Sequence, residues 1–288
     1  MTKGNAVTAR GFHSPPWDAG FAGRGGEPRP FCAGHESLRQ PWNERTARAT
    51  TIEASSSVRP APLAEFQVVI AAFQEARTIG QIVADCREVA GVAGVIVVDD
   101  GSSDTTGEIA AAAGAVMLRN EVNRGKGASL VRGLIQAMAL CPTGVLTLDG
   151  DGQHRPEDIP RLIEHADPGR VVIGSRRSGK STSPPLRYAA NRFADFWISL
   201  ASGGAVDDSQ SGFRLYPAAL LHRLEGDFPK ASRFAFESEL LIKAGRLGFA
   251  TIAVPIPAIY GQKRASHFRP VIDTLKITLA VARQLARR

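Results

Sequence analysis

The chain has 288 residues, of which 43% are hydrophobic and 22% are charged, and these ordinary proportions exclude a collagen-like, coiled-coil or wholly disordered protein. No apolar run approaches the roughly eighteen residues of a transmembrane helix, and the polar first residues lack the apolar core of a secretory signal, so we expect a cytoplasmic protein. The 35 basic and 28 acidic residues give a net charge of +7, which favours anionic partners such as nucleotides, phosphates, nucleic acid or an acidic membrane surface.

Residues 1–60 differ in composition from the rest of the chain. They contain scattered Gly, Pro, Ser and Arg and show no sustained helical or strand periodicity. Such a segment buries too little apolar surface to offset the conformational entropy lost on ordering. We therefore predict a disordered N-terminal tail over 1–60 and one folded domain over 61–288. A misassigned translation start would explain the same segment.

Strand and helix patterns alternate from residue 66 onward. Strands are predicted over 66–72, 95–99, 115–118, 145–149 and 170–174, and helices over 76–90, 104–113, 127–140 and 157–166. The second of these helices should be capped at its N-terminus by Ser102, Ser103 or Asp104. The alternation predicts right-handed βαβ units, and therefore an α/β fold with a mainly parallel sheet flanked by helices.

The alternation ends after residue 174. Helices are predicted near 186–201 and over 235–247, a strand over 250–256, and an amphipathic helix at the C-terminus. The C-terminal helix carries basic residues near one face and apolar residues near another. Such a helix either packs its apolar side on the domain or lies on an anionic membrane.

Polar side chains follow each of the first predicted strands at the point where the strand ends. Ligands of open α/β sheets bind beyond the carboxyl ends of the strands, so these loops should converge on one site. In chain order the loops contain Phe73 and Glu75, Asp99 and Asp100, Lys126, Asp149 with Asp151 and Gln153, and Arg176.

The fourth strand runs into an Asp-Gly-Asp-Gly sequence that contains Asp149 and Asp151. Two carboxylates so spaced can ligate one hard cation, and the glycines allow the backbone to turn sharply. Oxygen ligands of this kind suit Mg²⁺ or Mn²⁺ that holds a diphosphate, with Gln153 as a neutral third ligand. A calcium loop is excluded because His154 stands where the EF-hand needs Gly, but an acidic turn without a ligand is an alternative. His154 itself either touches the donor or is a solvated loop histidine.

The usual nucleotide-binding motifs are missing from the sequence. Gly125 and Gly127 flank Lys126 without forming GxGxxG, and no GxxxxGK[ST] occurs. Neither a Rossmann dinucleotide site nor a Walker-type NTPase is therefore supported.

Several motifs resemble, in order, those of the GT-A glycosyltransferases of family 2. They are VVIAAFQEARTIG, VIVVDDGSSDTT, NRGKGASLVRGL, LTLDGDGQH, DDSQSGFRLY and FESELLIKAGRLG. The chain is most similar to the dolichyl- and polyprenyl-phosphate sugar synthases of that family. The resemblance implies a GT-A fold with a Rossmann-like sheet. The family usually has Pro where Ala71 stands and Tyr-Asn where Phe73 and Gln74 stand. These differences make the motif a weaker indicator of which nucleotide base the donor carries.

The resemblance implies a donor side and an acceptor side. On the donor side, the nucleoside would be held by Ala71, Phe73, Glu75, Asp99, Asp100 and Lys126. The metal and the donor diphosphate would be bound by Asp149 and Asp151, with Gln153 as a further ligand. On the acceptor side, phosphates of donor or acceptor would meet Arg176, Arg187 and Arg214, and the acceptor would face Glu237 and Glu239. Glu239 would be the candidate base, and His267 would supply positive charge where the family often has Ser-Lys.

The function that this resemblance implies is inverting, metal-dependent sugar transfer from a GDP- or UDP-sugar to polyprenyl phosphate. One alternative is transfer to a soluble hydroxyl acceptor, and another is a nucleotide-sugar-binding protein without turnover. The aromatic residues of 193–200 either belong to the core or touch lipid, and the second reading predicts a peripheral protein at the inner face of the membrane. Nucleic acid is not expected as a partner, because the basic residues are dispersed and not interleaved with aromatic residues.

Overall fold

The structure is a computed structural model that describes residues 65–176, 185–229 and 235–257. The predicted tail over 1–60, the predicted C-terminal amphipathic helix and His267 lie outside these ranges. Arg187 is in the first turn of a described helix, but its side chain is outside the description. Within the described ranges, no helix is both long enough and apolar enough to cross a bilayer.

Seven strands form one sheet in the order β3-β2-β1-β4-β6-β5-β7. The strands are β1 (Phe66–Ala72), β2 (Val92–Asp99), β3 (Val116–Arg119), β4 (Gly144–Asp149), β5 (Arg170–Ser175), β6 (Arg214–Pro217) and β7 (Ala250–Pro255). Strand β6 is antiparallel to β4 and β5, whereas the other neighbouring strands are parallel. The prediction of a mainly parallel sheet is confirmed. Strand β6 was not predicted, because it is only four residues long and begins with a charged residue.

Helices cover both faces of the sheet. They are α1 (Ile79–Arg87), α2 (Thr106–Ala112), α3 (Lys126–Met138), α4 (Ile159–Ile163, after a 3₁₀ turn at Pro156–Asp158), α5 (Pro185–Ser202), α6 (Ala218–Arg223) and α7 (Ala235–Arg246). Helix α6 was not predicted. The predicted cap of α2 is wrong, because Thr105 holds the N-cap position; the Asp104 carboxylate instead accepts a hydrogen bond from the Thr106 backbone N–H at 3.1 Å.

The alternating side chains of β1 show how the two faces are packed. Val69 belongs to a core that includes buried residues of α3, α5, α6 and α7, while Val68 and Ile70 belong to a second core with α1, α2 and α4. Successive strand residues point to opposite faces, so a continuous apolar run fits a strand covered on both sides. The sheet is thus a rigid base, and the carboxyl ends of β1, β2, β3 and β4 share one edge.

Candidate active site

The register of the sheet brings the predicted acidic residues to this common edge. Ala71 pairs with Asp149 across β1 and β4, and Ala72 pairs with Asp99 across β1 and β2. The loop after β1 is tied to the loop after β4, because the Thr78 hydroxyl donates a hydrogen bond to the Gly150 carbonyl at 2.6 Å. The expected convergence of the strand ends is therefore present in the fold.

Lys126 joins the edge of the sheet to helix α7. Its Nζ atom lies 2.5 Å from Asp149 Oδ1 and 3.2 Å from Glu237 Oε1. Burial opposes the charge on Lys126, but the two carboxylates outweigh it and raise the pKa of the ammonium. Lys126 was expected beside the nucleoside, but its ammonium lies against Asp149, a predicted metal ligand.

Asp149 is ionised at neutral pH. Burial tends to raise its pKa, but the Lys126 ammonium more than compensates and lowers the pKa of Asp149 to about 2. Asp151 differs, because burial and the charge of Asp149 both raise the pKa of its carboxyl group. The Asp149 carboxylate is thus stabilised by the Lys126 ammonium. The negative charge of Asp151 is disfavoured in the protein, and a bound cation would stabilise it.

Gln153 and Arg176 complete this side of the edge. The Gln153 backbone N–H donates to Asp151 Oδ1 at 2.9 Å, and Arg176 Nη1 donates to Gln153 Oε1 at 3.3 Å. The backbone N–H of Arg176 is held by Asp208 Oδ2 at 3.1 Å. The structure therefore brings the predicted metal ligands and one predicted phosphate-binding arginine together.

His154 is buried beneath this acidic loop, so the solvated-loop alternative is wrong. Its ring lies 5.4 Å from the ring of Phe213, and Nε2 is 3.9 Å from Asp149 Oδ2. Burial and the charge of Arg176 lower the pKa of His154 to about 3, so the ring is neutral at neutral pH. Neither ring nitrogen has a hydrogen-bond partner within the described part of the chain. The one sequence signal for the buried position of His154 was that it follows the Asp-Gly-Asp-Gly sequence.

Asp99 and Asp100 support loops of the protein itself. Asp99 is fully buried, accepts a hydrogen bond from the Ser102 backbone N–H at 2.9 Å, and pairs with Arg119 at 3.1 Å. Asp100 accepts hydrogen bonds from the backbone N–H groups of Arg124 at 2.9 Å and Gly125 at 2.8 Å. The expected role of these carboxylates was hydrogen bonding to the nucleotide base, whereas the contacts described are with loops of the protein.

The loop after β1 presents the aromatic side chain predicted to meet the nucleoside. Phe73 is 43% exposed, and Gln74 beside it has a positive φ of 57°. The Gln74 backbone N–H donates to Ser102 Oγ at 2.9 Å, and the Glu75 backbone N–H donates to Thr106 Oγ1 at 2.8 Å. These hydrogen bonds fix the loop against the end of β2, and Phe73 stays accessible.

Arg214 lies in the interior and not at the open edge. Its side chain is fully buried, and its guanidinium donates hydrogen bonds to the carbonyls of Ser211 at 2.8 Å, Ser209 at 2.7 Å and Glu237 at 2.8 Å. The expected contact with a phosphate is therefore not the one the structure shows. Arg214 instead connects the loop before β6 to the first turn of α7, and so positions Glu237.

The two predicted glutamates of α7 point in different directions. The Glu237 carboxylate reaches Lys126, whereas Glu239 is half-buried two positions later and is turned by about 200° around the helix. Gly212 was not predicted as a site residue, yet it packs on the ion pair of Lys126 and Asp149. A Cβ atom at that position would lie 2.8 Å from Asp149 Oδ2 and 3.0 Å from Lys126 Nζ.

A protein-family model for glycosyl transferase family 2 matches residues 67–224, which is more than half of the chain. The chain belongs to glycosyl transferase family 2. The protein is therefore a glycosyltransferase, and the family resemblance of its motifs is confirmed.

Relatives of this glycosyltransferase are found among curated proteins and solved structures. It is 35% identical to an uncharacterised protein of Methanocaldococcus jannaschii over 228 residues, covering 76% of this chain and 92% of that protein. It is 30% identical to the dolichyl-phosphate hexose transferase of Haloferax volcanii over 197 residues, covering 67% and 82%. The crystal structure of glucosyl-3-phosphoglycerate synthase from Mycobacterium tuberculosis with Mg²⁺ and uridine-diphosphate is similar with a TM-score of 0.53 and 25% identity, over 77% of this chain and 79% of that one. The expected GT-A fold is confirmed.

Proposed function

We propose that this glycosyltransferase moves a sugar from a GDP- or UDP-sugar to polyprenyl phosphate, with Mg²⁺ or Mn²⁺ and inversion at the anomeric carbon. The observation that carries the proposal is the meeting of Asp149, Asp151, Gln153 and Arg176 at the edge of the sheet. This edge combines oxygen ligands for a hard cation with a guanidinium that can bind phosphate. Both features suit the binding of a nucleoside diphosphate.

The residues at this edge fit a divalent metal that shares its coordination with the donor. Within residues 65–176, 185–229 and 235–257, no group of three or more His, Cys, Asp or Glu forms a metal site by itself. Mg²⁺ commonly takes one or two carboxylates and completes its shell with substrate phosphates and water. Asp149 and Asp151 would hold the ion, with Gln153 beside them, and the bound ion would stabilise charge on the departing diphosphate.

The chain's own residues would orient the two substrates for direct displacement. Phe73 would stack on the base, and Arg176 would donate hydrogen bonds to the diphosphate. The acceptor phosphate oxygen would form the new bond to the anomeric carbon while the nucleoside diphosphate leaves with the electron pair. A phosphate monoester is already anionic near pH 7, so Glu239 would orient the acceptor and no strong base would be needed.

An apolar face of α5 supports a lipid acceptor. Phe193, Phe196 and Leu200 are exposed at 47%, 61% and 52%, while Ala194 and Ile198 on the opposite side are buried. Exposed aromatic residues in a row are costly in water and typical of a surface that contacts lipid or another apolar partner. The relative from Haloferax volcanii is named as a dolichyl-phosphate hexose transferase. We therefore propose that the enzyme is a peripheral protein at the inner face of the membrane.

Replacing Phe193 and Phe196 together by Ser is expected to weaken binding to anionic vesicles by about tenfold or more, because much of the apolar area that would leave water is lost. Co-sedimentation with vesicles containing polyprenyl phosphate measures the change. Ile135→Ser is the control, since Ile135 is 50% exposed on α3. Equal vesicle binding by the double variant and the wild type would show that this face of α5 does not contact lipid.

Phe73→Ala is expected to raise the donor KM by about tenfold with little change in kcat, because stacking of a base on an aromatic ring contributes roughly 1–3 kcal/mol. Phe73→Tyr keeps the ring and should leave the KM no worse than that of the wild type. Steady-state kinetics with varied nucleotide sugar measures both variants. An unchanged KM in Phe73→Ala would show that the ring does not meet the donor.

A donor screen tests the proposed function. GDP- and UDP-sugars are each incubated with polyprenyl phosphate and either Mg²⁺, Mn²⁺ or a chelator, and the lipid fraction is analysed by mass spectrometry. The proposal expects one class of donor to give a glycosylated lipid phosphate only with metal. Release of the nucleoside diphosphate without any glycosylated lipid would contradict the lipid acceptor and favour the alternative of a soluble hydroxyl acceptor.

A further inference from the structure

Lys126 occupies the position beside Asp149 that an added cation would need. Its Nζ atom lies 2.5 Å from Asp149 Oδ1, so a metal cannot ligate that oxygen while the ammonium stays in place. We infer that the Lys126 ammonium is a resident cation that competes with the divalent metal for Asp149 and thereby weakens metal binding to the donor-free protein. The inference rests on the metal site of the proposed function.

The ion pair is held from two sides by the fold. Lys126 is the first residue of α3, and the preceding backbone is fixed because Asp100 accepts hydrogen bonds from the N–H groups of Arg124 and Gly125. On the other side, Gly212 leaves only enough space for the ion pair, since a Cβ there would lie 2.9 Å from Asp149 Oδ1. The contact between Lys126 and Asp149 is therefore a built feature of the site.

Glu237 gives the ammonium a second partner when it leaves Asp149. The Lys126 Nζ atom is 3.2 Å from Glu237 Oε1 and 3.3 Å from Oε2, so the ammonium can give up Asp149 and still remain paired. A partly buried charge that kept no partner would be costly, and the exchange would then be unfavourable. The second carboxylate makes an exchange of Lys126 for a metal ion feasible.

The charges explain why removal of Lys126 should strengthen metal binding. Asp149, Asp151 and Glu237 supply three negative charges around the ammonium, and Arg176 adds a second positive charge nearby. A divalent ion that reaches Asp149 is repelled by any positive charge that stays within a few ångströms. A neutral side chain at position 126 would remove both the competition and the repulsion.

Mn²⁺ binding to the full-length protein without nucleotide tests the inference. The free Mn²⁺ signal in electron paramagnetic resonance reports binding and does not depend on catalysis. Lys126→Met is expected to bind Mn²⁺ about tenfold or more tightly than the wild type, while Lys126→Arg, which keeps the charge, should bind about as weakly as the wild type. Lys126→Gln provides a second neutral variant if Lys126→Met does not fold.

Arg124→Met is the matched control for general loss of charge. Arg124 is exposed and lies two positions before Lys126. Asp100 accepts a hydrogen bond from the Arg124 backbone N–H, which the substitution keeps. Its removal should change Mn²⁺ affinity by much less than Lys126→Met does. The inference is overturned if the neutral variants at position 126 bind Mn²⁺ no more tightly than the wild type or than Arg124→Met.

The outcomes separate this inference from the proposed function. Failure of every variant to bind Mn²⁺ would contradict both the metal site and the competition. Equal binding by the wild type and Lys126→Met would overturn the competition alone. Tighter binding by Lys126→Met would uphold it even if the donor screen gave no glycosylated lipid. A loss of folding cannot imitate this result, because it would weaken binding.

Discussion

Asp151→Asn is expected to lower kcat for sugar transfer by about a thousandfold, because the divalent ion proposed to bind Asp149 and Asp151 would supply several kcal/mol of charge stabilisation to the departing diphosphate. The amide keeps the shape of the side chain but removes its negative charge. In the protein without metal, burial and the nearby Asp149 already raise the pKa of the Asp151 carboxyl group. The change should therefore cost little stability, and the loss should appear in the initial rate at saturating donor and metal.

Glu157→Gln is the matched control for this substitution. Glu157 lies in the 3₁₀ turn a few residues later, and its carboxylate is well exposed beside Arg155. Its removal should leave the rate close to that of the wild type. A fully active Asp151→Asn enzyme would contradict the assignment of Asp151 to the metal and the diphosphate.

Arg214→Met is expected to lower the free energy of unfolding by about 3–5 kcal/mol, because buried groups that bond to a charged side chain lose their partner. The carbonyls of Ser209, Ser211 and Glu237 would each lose a hydrogen bond in the interior. Arg214→Lys should recover only part of the loss, since an ammonium does not match the planar fork of a guanidinium. Urea unfolding followed by circular dichroism measures both variants.

Arg223→Met serves as the control for loss of an arginine that bonds to a carbonyl near the surface. Arg223 donates to the Leu247 carbonyl at 3.0 Å from an exposed position, so its loss should cost about 1 kcal/mol or less. If Arg214→Met were no less stable than Arg223→Met, the buried guanidinium would not be what holds the loop before β6 to α7.

The parts of the fold set by local sequence pattern could be predicted. Strand β1 has the bounds predicted for it, Phe66 to Ala72, because a segment that is apolar except for Gln67 suits a strand buried on both faces. The end of β4 at Asp149 was predicted for the same reason. The meeting of Asp149 and Asp151 with the loop after β1 followed from the rule that parallel strands end on one edge of a sheet.

Contacts between residues far apart in the chain could not be predicted. Lys126 and Glu237 are 111 positions apart, and nothing in either local motif indicates that they pair. The family resemblance implied a phosphate-binding role for Arg214, but three carbonyls accept hydrogen bonds from its guanidinium in the interior. The antiparallel strand β6 explains this placement, because it carries Arg214 back between β4 and β5.

The transfer reaction itself tests the central claim most directly. Purified enzyme is incubated with a nucleotide sugar labelled in the sugar, polyprenyl phosphate in vesicles, and Mg²⁺ or Mn²⁺, and the label is followed into the lipid phase. We predict a labelled lipid phosphate with inverted anomeric configuration, formed by the wild type and lost with chelator or in Asp151→Asn. Label that never enters the lipid phase, for any GDP- or UDP-sugar with either metal, would contradict it.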